Sequence, residues 1–127
     1  MSGELSGRRA LVSGAASGIG AAVARALAQA GAQVLLTDQA SSGSLSPGCA
    51  FQRAALCDPE AVDALFTAAG ERLGTPDVLV SCAGVGIHER LDEGDPAKWA
   101  QVFEVNVMGA LRLVRAFGPA MLAQGGD

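Results

Sequence analysis

Between the apolar run Ala10-Leu11-Val12 and an apolar stripe of helical spacing that begins at Ile19, the chain reads Ser13-Gly14-Ala15-Ala16-Ser17-Gly18-Ile19-Gly20. A strand that turns into a helix through three glycines restricts the fold more than any other stretch of this sequence. Such a turn stands at the C-terminal end of its strand, where parallel α/β sheets bind their ligands. The helix that follows offers unpaired N–H groups and roughly half a positive charge at its first turn, which suits a phosphate. Gly14 is placed to turn sharply off the strand, Gly18 to let phosphates approach the backbone, and Gly20 to let helix and strand pack closely. An ordinary strand–helix turn that happens to be rich in glycine would look the same, so the loop alone leaves both readings open.

The remaining pattern alternates strand and helix. Arg9–Ser13 reads as a short buried strand, and Ile19, Ala22, Val23, Ala26, Leu27 and Ala30 fall on one face of a helix that Gly31 closes. A second strand, Gln33–Asp38, is too apolar for a wet face, and the Ser/Gly/Pro-rich stretch Gln39–Gly48 reads as a loop. A weaker third strand spans Ala50–Leu56. Asp58 and Pro59 then open a helix as N-cap and first helical residue, with Val62, Leu65, Phe66, Ala69 and Leu73 as its stripe and Gly74 as its stop. Asp77–Gly84 is a fourth apolar strand. Asp95-Pro96 repeats the cap before a long helix through Trp99, Phe103, Leu111 and Met121, apolar nearly all round and expected to be covered on more than one side. Strands apolar on both faces, each followed by a helix or long crossover, imply a Rossmann-type doubly wound α/β fold with a parallel sheet. With no internal repeat or linker, all 127 residues are expected to form one dinucleotide-binding domain.

Composition removes several function classes. A net charge of −4 supplies no basic footprint for nucleic acid or an anionic membrane. Three cysteines, Cys49, Cys57 and Cys82, form no CxxC pair and leave one unpaired, which favours free thiols in a reducing compartment, and no metal site is expected. No apolar segment of signal length precedes the first strand, and no run reaches about 18 apolar residues, so a soluble cytoplasmic protein is expected.

Asp38 strengthens the phosphate reading. It ends the second strand, where a carboxylate can accept hydrogen bonds from both hydroxyls of an adenosine ribose; a turn-forming aspartate is the plain alternative. A 2′-phosphate there would meet a like charge at a cost of about 1–4 kcal/mol at ~4 Å. Ser17 and Gln39 put no cation nearby, so NAD is expected over NADP.

The spacing Gly14-x-x-x-Gly18-x-Gly20, taken with "DVLVSCAG" at 77–84 and "FEVNVMGAL" at 103–111, closely resembles the short-chain dehydrogenase/reductase family over essentially the whole chain. The resemblance implies that Gly14, Ser17, Gly18, Ile19 and Gly20 form the dinucleotide loop, that Asp38 binds the ribose, and that Ala83 and Gly84 flank the cofactor. It implies that Asn106 belongs to the family's catalytic Asn-Ser-Tyr-Lys set, holding a helix distortion and a water of the proton relay; a residue that merely ties up backbone is compatible with this. Ser81-Cys82 replace two family asparagines, Ala55 stands where an aspartate touching the adenine amino group is usual, and the Ser/Gly loop replaces a helix. Leu56 and Val107 fit apolar surroundings, and His88 is expected to face solvent or brush the substrate.

The chain has no tyrosine, and its one lysine is Lys98. In the family a tyrosine exchanges the proton with the carbonyl oxygen, helped by a lysine and a serine that lie beyond the long helix. The chain is therefore expected to be truncated after the fourth helix; the family's topology implies the strand order 3-2-1-4, with an open apolar edge and a tendency to aggregate. The leading expectation is the N-terminal half of an NAD-dependent oxidoreductase of secondary alcohols and carbonyls, lacking the Ser and Tyr-x-x-x-Lys residues and catalytically incompetent alone. The alternative is a non-catalytic dinucleotide-binding or scaffolding module completed by another chain. The resemblance implies a homo-dimer or homo-tetramer with the last helix in the interface.

Overall fold

The structure, a computed structural model, describes residues 3–42 and 44–125. Four strands, β1 (Arg9–Ser13), β2 (Gln33–Asp38), β3 (Cys49–Arg53) and β4 (Val78–Ser81), form one parallel sheet in the order β3-β2-β1-β4. Helix α1 (Gly18–Gln29) covers one face, while α2 (Pro59–Arg72) and α4 (Gly109–Ala123) cover the other; α3 (Pro96–Phe103) precedes α4. This is the doubly wound α/β architecture that the alternating pattern predicts.

Side-chain alternation along the strands splits the core in two. Ala10, Val12, Val34 and Leu36 pack with Ala15 and Ala24 on the α1 face. Leu11 and Leu35 pack with Val62, Leu65, Ala69, Leu113 and Phe117 on the other. The same alternation carries a polar row across the C-terminal end of the sheet on the α2/α4 face: Gln52 opposes Thr37, Thr37 opposes Ser13, and Ser13 opposes Ser81. Ser13 and Thr37 in this row are fully buried.

Local chemistry sets most boundaries. Asp58 Oδ1 accepts from Glu60 N at 3.0 Å and Asp95 Oδ1 from Ala97 N at 2.9 Å, each followed by proline at the first helical position. Such a cap contributes about 1 kcal/mol. Strands β3 and β4 are shorter than expected. Just past the end of β4, Cys82 N still donates to both the carbonyl and the Oγ of Ser13, each at 3.2 Å.

Two expectations are corrected. The buried face of α1 carries Gly20 and Ala24, with Val23, Leu27 and Ala28 packed beside them, and Ile19 is 78% exposed. The offset arises because Gly20 lies against the Gly14 carbonyl, where any Cβ would collide, so small residues face the sheet. A π-helical segment at Glu104–Met108, which contains Asn106, interrupts the long helix, in line with the distortion that the resemblance implies. Finally, α4 buries only one face within this chain, Gly109, Leu113 and Phe117, while Val107, Leu111, Val114 and Leu122 remain more than half exposed.

Candidate functional site

A cleft of about 330 Å3 opens over the C-terminal ends of all four strands. The glycine loop lines it with Gly14, Ser17, Ile19 and Gly20, β2 with Thr37 and Asp38, the turn after β3 with Leu56 and Cys57, and the turn after β4 with Ala83 and Gly84. Of the residues that the resemblance assigns to the cofactor or to catalysis, Gly18 and Asn106 lie outside the cleft lining, and both adjoin it: Gly18 within the loop, Asn106 through Val85. His88 is exposed and does not line the cleft.

The three glycines meet different constraints. Gly14 has φ +65°, and a Cβ on it would stand 2.5 Å from Ala83 N and Cys82 C, so β4's exit runs directly against this backbone. Gly18 has φ +61° and would meet nothing within 4 Å; its requirement is conformation and open space rather than packing. Ser17 stands at the N-cap of α1, yet its side chain makes no cap bond and the first turn holds no acidic residue. Helices α2 and α3 are both capped by aspartate, so α1 alone of the three presents its first N–H groups without a side-chain acceptor.

Asp38 turns out to be a structural tie as well as a cleft residue. Its Oδ2 accepts from Ala16 N, joining β2 to the glycine loop, and its Oδ1 accepts from Ala40 N, each at 3.0 Å. The turn-forming alternative is thus realised at one oxygen while the carboxylate still faces the cleft. Each oxygen keeps a lone pair for a further donor.

Asn106 sits inside the π-helical segment and braces the turn after β4: its Oδ1 accepts from Val85 N at 2.7 Å and its Nδ2 donates to Val85 O at 2.8 Å. A Cβ on Gly84 would stand 3.3 Å from that Oδ1, so the small residue keeps the brace close. On the opposite wall, Arg112 pairs with Glu104 at 2.9 Å and donates to Leu56 O at 3.1 Å, tying α4 to the turn after β3.

Two cleft features escaped the sequence reading. Thr37 is wholly buried and its Oγ1 has no hydrogen-bond partner among the described residues. An unpartnered buried hydroxyl costs about 1–3 kcal/mol. Cys57 is exposed at the rim. Thr37 becomes visible only through cross-strand register and Cys57 only through the path of the turn after β3, neither of which has a local signature. Among the described residues no cluster suited to a metal ion occurs, and no helix is long and apolar enough to cross a membrane.

Comparison with known proteins agrees with this architecture. The family model described as short chain dehydrogenase matches residues 8–127. A glycine betaine reductase of Emericella nidulans is 39% identical, over 97% of this chain and 10% of its own. A galactitol 2-dehydrogenase of Cereibacter sphaeroides is 38% identical, over 96% of this chain and 50% of its own. The ligand-free aldohexose dehydrogenase of Thermoplasma acidophilum superposes with a TM-score of 0.89 at 22% identity, a likeness of fold covering 97% of this chain and 48% of that one. The chain thus spans about half the length of the dehydrogenases it matches, and a tenth of the reductase. With the parallel sheet, the glycine turn and a family match over nearly every residue in agreement, the chain belongs to the short-chain dehydrogenase/reductase family.

Proposed function

We propose that this chain is the cofactor-binding portion of an NAD-dependent oxidoreductase acting on a secondary alcohol or carbonyl. The family binds a nicotinamide dinucleotide, and the relatives named above are a reductase and dehydrogenases. The observation that carries the reading is the uncapped first turn of α1 beside the open space at Gly18, at a strand end closed off by the Asp38 carboxylate. A diphosphate fits there: Gly14 brings the loop close, Gly18 leaves room, and the backbone N–H groups of Ser17, Gly18, Ile19 and Gly20 can donate. Asp38 would accept from the ribose hydroxyls, with Ala83 and Gly84 along the opposite wall. When bound, the dinucleotide supplies two-electron redox chemistry.

The chain's own residues bind and position. Asp38, already fixed by two backbone N–H groups, holds its charge at one place and disfavours a 2′-phosphate by about 1–4 kcal/mol at ~4 Å. Asn106 keeps the β4 exit in place while its amide retains one free N–H and one free lone pair, enough to hold a water. Lys98 forms an ion pair with Glu89 at 2.7 Å on the surface, and no tyrosine is present, so on this reading the family's tyrosine–lysine pair lies outside these 127 residues.

Calorimetric titration of NAD+ and NADP+ tests this reading. NAD+ should bind about tenfold or more tighter, a difference of about 1.4 kcal/mol. Asp38→Asn keeps an acceptor for one backbone N–H but loses the charge, and should narrow the ratio. Equal binding by the parent, or an unchanged ratio in the variant, would overturn the assignment. The exposed stripe of Val107, Leu111, Val114 and Leu122 favours a second reading in part: these residues await a cover, from the same protein or from another chain in a non-catalytic module. A homo-dimer or tetramer built on α4 is the form of cover that this proposal adopts, and light scattering of the purified protein checks it.

A further inference from the structure

The half of the cleft over β2 and β3 has a chemistry of its own. Thr37, Asp38 and Gln39 line it at the end of β2, and Ala54, Leu56 and Cys57 line it after β3. On the cofactor reading above, which this inference rests on, Asp38 faces the ribose and the attached base lies in this half; the other half leads over β4 toward Asn106. Selecting the 6-amino group of adenine requires an acceptor of fixed polarity. Among the described residues, no acceptor-only side chain other than Asp38 lines this half of the cleft. Asp38 Oδ2 and Oδ1 accept from Ala16 N and Ala40 N and face the ribose. Asp58 Oδ1 caps α2, and Asp58 does not line the cleft. The carbonyls of Ala55 and Leu56 already serve Asp58 N and Arg112 Nη1, so an amino group there would share an acceptor with the protein.

Three polar side chains remain on this side, the Thr37 hydroxyl, the Gln39 carboxamide and the Cys57 thiol, and each can donate as well as accept. Thr37 is the most informative: it is buried, it lines the cleft, and its Oγ1 has no partner among the described residues. A hydroxyl turns to accept from an amino group or to donate to an oxo group. We propose that this half-cleft holds a purine base without distinguishing its 6-substituent, so that nicotinamide hypoxanthine dinucleotide binds as well as NAD+.

The test is calorimetric titration of the full-length protein and its Cys57→Asp variant with both dinucleotides. The parent should bind the two within about threefold, whereas the acceptor-only aspartate at the exposed rim should favour NAD+ by about tenfold or more. Parent binding in which the hypoxanthine dinucleotide is tenfold weaker overturns this inference and leaves the cofactor reading standing. A variant that still binds both equally overturns the placement of the base beside Cys57. If neither dinucleotide binds while circular dichroism shows a folded α/β protein, the cofactor reading itself fails, and this inference with it.

Discussion

Gly14→Ala and Gly18→Ala form a matched pair that separates packing from conformation. Both glycines have φ near +60°, so alanine strains each backbone by about 1–2 kcal/mol. Only at position 14 does the new methyl meet backbone, with Ala83 N and Cys82 C at 2.5 Å and Ala83 Cα at 2.6 Å. The Cys82 N–H donates to both the carbonyl and the Oγ of Ser13 and anchors the chain one peptide before the clash, so relieving it displaces the β4 exit from β1. Overpacking of this kind adds about 1–3 kcal/mol. The totals are about 2–5 kcal/mol for Gly14→Ala and about 1–2 kcal/mol for Gly18→Ala. Urea denaturation followed by far-UV circular dichroism measures both. Equal losses would refute the argument, because they would mean that contact with the β4 exit contributes nothing. In the same pair, Gly18→Ala should lower dinucleotide affinity while costing less fold stability than Gly14→Ala, since its methyl enters open space beside the loop.

Other expectations follow from single interactions. Asn106→Leu removes both bonds to Val85 and should destabilise the chain by about 1–3 kcal/mol; hydrogen exchange should show Val85 N–H losing its protection, and unchanged protection would sink the bracing role. Asp77→Ala orphans the half-buried Arg9 N, now 2.9 Å from Asp77 Oδ2, and should cost about 1–3 kcal/mol; a change within error of zero in thermal unfolding would refute it. The hydrogen bond from Lys98 holds the Glu89 carboxyl below the usual glutamate range and raises the Lys98 ammonium correspondingly. The depressed carboxyl contributes stability above its unfolded pKa that is lost as pH falls through the lower folded value. Carbon-detected NMR titration should place the Glu89 midpoint below an ordinary glutamate and return it upward in Lys98→Met; an unmoved midpoint refutes the pairing.

What could be read from the sequence was what local chemistry writes. The Asp58-Pro59 and Asp95-Pro96 caps appear where expected because a cap needs only its own side chain and the next turn. The doubly wound class followed from apolar strands and a handed crossover, while the strand order came from the family resemblance. Features made by non-neighbours were less legible. Ile19 fits an apolar stripe, but the close approach of Gly20 to Gly14 rotates the small face of α1 toward the sheet and leaves Ile19 outside. The distortion at Glu104–Met108 entered only through family resemblance, since helical periodicity runs on across it without a break. The polar row of Gln52, Thr37, Ser13 and Ser81 is drawn from four separate strands. Nothing in any one of them marks it.

The two backbone bonds of Asp38 bear on how this site could be redesigned. Changing a protein's taste from one dinucleotide to its phosphorylated counterpart is commonly pictured as exchanging an acid for a base at one position. Lysine and arginine only donate, so neither can serve Ala16 N or Ala40 N. A direct exchange would loosen the glycine loop while adding the charge, and selectivity and fold would move against each other. The open route runs through two sites: a neutral acceptor such as asparagine at position 38, and the new cation at Gln39, which is exposed and already borders the same cleft.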